Sequence, residues 1–376
     1  MGKVTGNYLI AKTLKEEGVD TLFYLMGGPD FDIVMECQDL GIRTIDFRHE
    51  QAAAFAAHAY ARVTGKPGVL TAASGPGTLN LITGVYTAAI DCAPMVILGG
   101  ASAVHEISRD SFQEVDQVGI MQPLCKYWHR PTMASRYPEI VSTAYRQAQS
   151  GRPGPAYIDC GGDVLYEEVE EESVSQATRA ETRTRPAAEG SAVDRAMKLI
   201  SGAERPLIFA GGGAFFSGAA PELERFVDTT NIPFYTAPMS RGLIPEDHPV
   251  SFPAARSTAM READVVLVVG TRLNWMMNYG KRFNPSARII QIDIDESELG
   301  HNQNIELGIF GDAKAVMAQF NEAADGNRSD FAGALESPWV VNLRQADEER
   351  LARSAPILNS DQTPIHPLRL CKEIAE

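Results

Sequence analysis

The 376-residue sequence has few cysteines, no CxxC pair and no long apolar run. That cysteine spacing argues against a disulfide scaffold and against a zinc site, and it is typical of a protein in a reducing cytosol. The five cysteines lie far apart, at Cys37, Cys92, Cys125, Cys160 and Cys371.

Positive charge is also in short supply. The chain has 34 Lys and Arg against 49 Asp and Glu, which gives a formal net charge of −15. This balance argues against general binding to nucleic acid or anionic lipid, although it leaves room for a local phosphate site. No apolar run reaches the roughly 18 residues of a membrane span, and the N-terminal segment is amphipathic. We therefore predict a soluble, acidic, cytoplasmic protein without a membrane segment or secretory signal.

Short apolar segments alternate with helical patterns along residues 1–165. Apolar residues at Tyr8, Leu9, Ala11 and Leu14 have helical spacing, and the segments that follow predict strands and further helices in turn. Strands alternating with helices of about 10–15 residues predict a parallel sheet covered on both faces. The predicted strands carry the strings DTLFYLMGG, IRTIDF, GVLTAAS, APMVILGG and PAYIDCG.

The alternation stops at residues 166–190, which carry five glutamates within six positions and almost no large apolar side chains. We predict an acidic linker there. The alternation of strands and helices resumes over residues 191–325, where RPLIFAGGG, IPFYTA, ADVVLVVG and ARIIQIDID predict strands. Residues 326–376 are predicted to be a linker and the start of a further domain. The fold class is α/β, with two doubly wound parallel-sheet domains.

Two strings in the first domain are candidates for a binding site. In RHEQAAAF, Glu50 opens an Ala-rich helix. A carboxylate there can simply be favoured by the helix dipole. In SGPGTLN, Gly75 and Gly77 let the backbone approach a ligand, with Asn80 close behind, although many strand-to-helix turns look like this.

Two further strings have similarly ordinary alternatives. Phe112 and Gln113, followed by Lys126, could line a pocket or form an ordinary loop. Arg152 lies in a Gly/Pro frame suited to a phosphate, but a loop arginine is often just exposed.

The second domain has a glycine-rich turn and charged residues at predicted strand ends. FAGGGAF is similar to the dinucleotide-binding turn GxGxxG without matching it. Strand-end acids can bind ribose hydroxyls and arginines can bind a pyrophosphate, so the combination favours a nucleotide site. The candidate residues are Gly212, Gly213, Arg256, Arg272 and Asp293.

The order of these strings is more specific than any one of them. RHEQAAAFAAHAYARVTGKPGV, ASGPGTLNLITGV, FQEVDQ and SGRPGPAYID follow one another as in the thiamine-diphosphate (ThDP) enzymes of the acetolactate synthase superfamily. The resemblance extends over residues 1 to about 320. It implies a pyrimidine-binding domain, then a central nucleotide-binding domain.

The resemblance also implies roles for individual residues. Glu50 would contact N1′ of the aminopyrimidine ring, where a charge-assisted hydrogen bond favours the tautomer whose nitrogen removes the C2 proton. Gly75, Gly77 and Asn80 would pack against the ring, and Phe112 and Gln113 would face C2. Lys126 would lie on the substrate side, and Arg152 would contact the phosphates of the nucleotide.

The central domain separates two branches of this superfamily. AARSTAMREADVVLVVGTRLNWMMNYGK resembles 2-hydroxyacyl-CoA lyase and oxalyl-CoA decarboxylase, whose central domains hold ADP. The chain has SFPAARS and RLNWMM where acetolactate synthases have GMHG and RFDDR-like strings, so ADP is favoured over FAD. The string FQE, however, is shared by acetolactate synthases and hydroxyacyl-CoA lyases. A 2-hydroxyacyl-CoA lyase-like enzyme or carboligase is the prediction; the alternatives are an acetolactate synthase acting on 2-oxo acids and a non-catalytic nucleotide-binding subunit.

No GDG string followed by an Asn pair is present, although the family uses these residues to bind Mg²⁺ and the diphosphate. We therefore predict that the Mg²⁺ ligands and the third, diphosphate-binding domain are not on this chain. Either another polypeptide supplies them or the reading frame is incomplete, and the chain alone would not turn over. The family's active site lies between subunits, which implies a homo-oligomer or a partner chain.

Overall fold

The computed structural model describes residues 2–175 and 184–375. The chain divides into two compact units, residues 1–184 and 185–376. Each unit has its own sheet and its own apolar core.

The first unit contains strands and helices in near-regular alternation. Its strands are β1 (Lys3–Thr5), β2 (Thr21–Leu25), β3 (Arg43–Asp46), β4 (Gly68–Ala72), β5 (Met95–Ala101), β6 (Tyr127–His129), β7 (Pro155–Gly161) and β8 (Glu168–Glu170). Its helices are α1 (Gly6–Glu16), α2 (Phe31–Asp39), α3 (Glu50–Thr64), α4 (Pro76–Asn80), α5 (Ile82–Asp91), α6 (Gln117–Met121), α7 (Tyr137–Gln149) and α8 (Gly162–Leu165).

Six of these strands form a parallel sheet in the order β3-β2-β4-β5-β7-β6. Strands β4, β5 and β7 are buried along their whole length, as expected of central parallel strands. Helix α3 packs so closely against α5 that an added Cβ at Gly84 would lie 2.4 Å from the Ala54 Cβ. The Ala-rich sequence of α3 permits this close approach and fixes where its first residue, Glu50, lies.

The predicted linker at residues 166–190 differs from the structure at its start. Glu168–Glu170 pairs as an antiparallel strand with Lys3–Thr5, and the Lys3 ammonium lies 3.5 Å from the Glu168 carboxylate. The acidic run thus finds its partner at the N-terminus, which local composition could not indicate. Residues 176–183 of the predicted linker lie outside the described residues.

The second unit is a five-stranded parallel sheet in the order β10-β9-β11-β12-β13, with helices around it. Its strands are β9 (Pro206–Ala210), β10 (Phe234–Thr236), β11 (Val265–Val269), β12 (Arg288–Asp293) and β13 (Leu307–Phe310). Its helices are α9 (Gly190–Ser201), α10 (Gly212–Ser217), α11 (Ala220–Thr230), α12 (Arg256–Glu262), α13 (Ala313–Gly326), α14 (Pro338–Leu358) and α15 (Pro367–Ala375). The predicted α/β class with two helix-flanked parallel sheets is confirmed.

The core of this unit continues past residue 325, into the segment predicted to be a linker. Trp339, Val340 and Leu343 of α14 are buried in it, and the Trp339 indole N–H donates to the Pro206 carbonyl at 3.0 Å. Among the helices of the described residues, none is long and apolar enough to cross a membrane.

Candidate functional site

The segments that carry the first-domain strings meet at one edge of the first sheet. Glu50 follows β3, the turn at Ser74–Gly77 follows β4, and the loop with Phe112 and Gln113 follows β5. Because these strands are parallel, their carboxyl ends lie side by side. The chain reverses its direction of strand addition between β2 and β4, and such a switch point is where open α/β sheets bind ligands.

Glu50 is the first residue of α3 and is half-buried. Its Oε2 accepts a hydrogen bond of 2.9 Å from the Asn80 side-chain amide. Its Oε1 accepts none from the described residues, and an added Cβ at Gly77 would lie only 3.5 Å from it. One carboxylate oxygen is therefore fixed in orientation, and the other faces space kept open by a glycine.

The turn before α4 needs glycine at Gly75. Its φ is +57°, and a Cβ there would lie 2.4 Å from the carbonyl oxygen of Gln113. The Ser74 hydroxyl donates to the Gln113 side-chain oxygen at 2.8 Å. The turn and the loop after β5 are thus joined by a side-chain hydrogen bond, and they lie too close together for a Cβ at Gly75.

The loop that carries Phe112 and Gln113 is closed by the carboxylate of Glu114. This group accepts the backbone N–H groups of Ser108 and Ser111, and these bonds lower the pKa of the Glu114 carboxyl. Phe112 is 84% exposed at the tip. Gln113 has a φ of +59°, which side-chain-bearing residues rarely adopt. The loop therefore presents an aromatic ring and an amide beside the glycine turn.

A buried acid that sequence analysis missed lies beside this turn. Asp30 is fully buried, and its Oδ2 lies 2.8 Å from the Thr71 hydroxyl, which is also 2.9 Å from the Leu98 carbonyl. One hydroxyl hydrogen cannot serve both acceptors, so a proton on Asp30 completes the pair. Burial raises the pKa of Asp30 to about 7. The sequence signal that could have indicated this residue is its position, because Asp30 directly follows a predicted buried strand and the string GGP.

Lys126 and Arg152 lie at the other edge of the first sheet. Both precede their strands, so they are at the amino ends, opposite Glu50. The Lys126 ammonium donates to the carbonyls of Gln147 and Ser150 at the end of α7. The Arg152 guanidinium contacts the Cys92 sulfur at 3.1 Å. Within this unit the structure does not bring them together with Glu50, and their roles stay predictions.

The candidate residues of the second unit lie at the carboxyl edge of its sheet. Gly212 and Gly213 follow β9, Arg272 follows β11, and Asp293 ends β12, on strands that are neighbours in the sheet. The switch point falls between β9 and β11. An added Cβ at Gly213 would lie 2.8 Å from the Gly270 Cα, so close packing of the two strand ends already requires glycine there.

Arg256 is the best-defined anion-binding candidate of this unit. Its guanidinium lies 5.1 Å from the ring centroid of Phe209, and its buried Nε has no hydrogen-bond partner. Burial and the positive charge of Arg282 lower the pKa of Arg256. Neither arginine forms a salt bridge with an acid among residues 2–175 and 184–375. Sequence analysis missed Arg282, which follows the 3₁₀ segment Trp275–Gly280 rather than a strand.

The described part of the chain contains no group of three or more His, Cys, Asp or Glu side chains placed to hold a metal ion. The candidate site in the first unit is thus built from one carboxylate, amides, glycines and an aromatic ring.

Comparison with known proteins places both units in one family. Residues 4–120 match the thiamine pyrophosphate enzyme N-terminal TPP binding domain. Residues 193–320 match the thiamine pyrophosphate enzyme central domain. The two matches fall on the first and second structural units, respectively.

Similar proteins carry two kinds of name. A 2-hydroxyacyl-CoA lyase of Arabidopsis thaliana is 34% identical over 98% of this chain and 66% of its own length. The human 2-hydroxyacyl-CoA lyase 1 is 33% identical, over 97% and 63%. A probable acetolactate synthase large subunit of Methanococcus aeolicus is 35% identical, over 99% and 64%. The chain spans somewhat less than two thirds of the length of these relatives. It belongs to the thiamine pyrophosphate enzymes, of which it carries the N-terminal and central domains.

Proposed function

We propose that this chain supplies the pyrimidine-binding side of a ThDP site, in an enzyme that forms or cleaves a C–C bond next to a carbonyl. The observation that carries the proposal is the Glu50 carboxylate. Asn80 holds one of its oxygens, and the other faces the space that Gly77 leaves open. A fixed carboxylate with one available oxygen suits a nitrogen heterocycle that carries or exchanges a proton.

The residues around Glu50 fit this cofactor. When bound, ThDP supplies a carbon centre that stabilises negative charge next to a carbonyl. Glu50 holds a proton at the ring nitrogen N1′, and Gly75 and Gly77 allow the ring to approach the backbone. Phe112 offers an apolar surface and Gln113 an amide on the reacting side. Mg²⁺ would be bound by ligands that we do not assign to this chain.

For the second unit we propose a nucleotide site that holds ADP. Arg256 and Arg282 bring two positive charges together without an acidic partner in the described residues, which suits a diphosphate. Arg272, Gly212 and Gly213 would approach the same phosphates, and Asp293 would bind the ribose. Arg152 would contact the phosphates and Lys126 the substrate, by resemblance alone.

The proposed substrate is a 2-hydroxyacyl-CoA, cleaved or formed by a lyase-type reaction in a homo-oligomer or with a partner chain. Similarity to named 2-hydroxyacyl-CoA lyases over nearly the whole chain supports this choice. An acetolactate synthase reaction on 2-oxo acids is the second candidate, supported by the string FQE and by the archaeal relative. Offering a 2-hydroxyacyl-CoA and a 2-oxo acid with ThDP and Mg²⁺ to the chain reconstituted with a diphosphate-domain partner distinguishes the two, because only the lyase releases an aldehyde from the first.

The nucleotide assignment gives a separate prediction. We expect Arg256→Met to weaken ADP binding roughly 10- to 100-fold in calorimetry, because a charged hydrogen bond to phosphate is lost. Arg261→Met is the matched control, since Arg261 lies exposed in the last turn of the same helix. Equal ADP affinity of the two variants, or a purified protein with a flavin absorption spectrum, would contradict the ADP assignment.

A further inference from the structure

Gln117, at the start of α6, is buried, and its side-chain amide lies within hydrogen-bond distance of four groups. Its Oε1 accepts the Gly75 N–H at 2.5 Å. Its Nε2 lies 3.0 Å from the Gly100 carbonyl and 2.9 Å from both the Tyr157 hydroxyl and an Asp159 carboxylate oxygen. One side chain thus joins the turn after β4 to strands β5 and β7.

The charge beneath Gln117 is balanced. Asp159 is fully buried and also accepts hydrogen bonds from the Tyr157 hydroxyl and the Arg130 guanidinium. A buried carboxylate needs such partners, so its own position is strongly constrained. The Gln117 side chain therefore contacts the Arg130–Asp159 ion pair on one side and binds the Gly75 N–H of the glycine turn on the other.

The turn and the loop are also joined directly. Ser74 donates to the Gln113 side chain, and Gly75 lies so close to the Gln113 carbonyl that a Cβ would not fit between them. Gln117 follows Gln113 by four residues in the same segment. Movement of the loop would therefore disturb the turn, and loss of Gln117 would free both.

We propose that Gln117 is a positioning residue, which holds the Ser74–Gly77 turn and the Phe112–Gln113 loop as one unit beneath the ThDP ring. This role rests on the proposed function. Burial alone would not carry it, because Gln291 in the second unit is equally buried. Like Gln117, the Gln291 side chain accepts a glycine N–H, that of Gly300, and donates to a backbone carbonyl, that of Glu298. Gln117 differs in binding the N–H of Gly75, in the turn whose Gly77 lies next to Glu50 and whose Ser74 and Gly75 meet Gln113.

Hydrogen exchange of the full chain tests this role without any cofactor. We expect Gln117→Met to speed amide exchange about tenfold in residues 74–81 and 108–117 together, while β4, β5 and β7 stay protected. Gln291→Met should leave both segments unchanged. In the wild-type protein the two segments should open with one common equilibrium constant, a measurement that stands even if the variant fails to fold.

Three results would overturn the inference. In the wild-type protein, the two segments would open with different equilibrium constants. In Gln117→Met, protection would be lost equally across the whole unit, or ThDP affinity would be unchanged although the turn and loop are loosened. If neither wild-type nor variant protein binds ThDP while the exchange pattern is as expected, the joint unit stands and the proposed cofactor site fails.

Discussion

Glu50→Gln is expected to lower ThDP-dependent turnover by roughly 10²–10⁴-fold, the usual contribution of a positioned acid–base group. Glutamine keeps the size of the side chain and an oxygen for the Asn80 amide, but it cannot hold the charge that favours a proton on the ring nitrogen. We therefore expect the rate to fall much more than the affinity for ThDP. The measurement is the initial rate on a 2-hydroxyacyl-CoA and on a 2-oxo acid, with ThDP and Mg²⁺ at saturation, in a complex reconstituted with a partner that supplies the diphosphate-binding domain.

The matched control is Glu139→Gln, in the first turn of α7. Glu139 is exposed and pairs with Arg136, the residue directly before this helix. A carboxylate that merely complements a helix dipole contributes a few tenths to about 1 kcal/mol of stability and nothing to turnover. If both variants keep wild-type rates, Glu50 is only a helix-terminal residue and its assignment is wrong.

Between about pH 4 and 7, Asp30→Asn is expected to gain about 4 kcal/mol of unfolding free energy relative to the wild-type protein. This is the free energy equivalent of a pKa raised from 3.8 to about 7. Below both values the acid is protonated in folded and unfolded chains. As the pH rises from about 4 to 7 only the unfolded chain releases this proton, so the wild-type protein loses stability relative to the variant. Above about 7 the difference stays constant.

The measurement is the free energy of unfolding of both proteins by denaturant across this pH range. Other groups titrate alike in the two proteins, so the difference isolates Asp30. We expect the variant to gain on the wild-type protein steadily with pH. Parallel curves would show that Asp30 ionises normally and that the proton inferred between it and Thr71 is absent.

Local patterns were sufficient for the elements around Glu50. Strand-to-helix alternation correctly predicted β3, α3 and β4, and in a parallel sheet these fix which segments share the carboxyl edge. The same local patterns could not place Lys126 and Arg152 relative to that edge. The short strand β6 was not predicted, and β7 lies between β5 and β6 in the sheet although it follows β6 in the chain.

The side chains that sequence analysis missed are those whose partners are distant in the chain. Asp30 meets Thr71, 41 residues away, and Gln117 meets Gly75, 42 residues away. Asp30 lies outside the strings that carry the resemblance, and Gln117 is the last residue of FQEVDQ, but each looks like an ordinary loop or helix-start residue in isolation. Their burial and contacts follow from the order of the strands, which periodicity does not encode.

We infer that Glu50 faces the ThDP ring nitrogen, and deuterium exchange at C2 of ThDP measures the effect of this contact on the cofactor. The exchange is followed by proton NMR with Mg²⁺ and about 1 mM ThDP, a concentration at which even a weak site is partly filled. We predict that the wild-type protein accelerates exchange and that Glu50→Gln loses most of this acceleration, while Glu139→Gln keeps it. An exchange rate shared by the wild-type and Glu50→Gln proteins would contradict the claim.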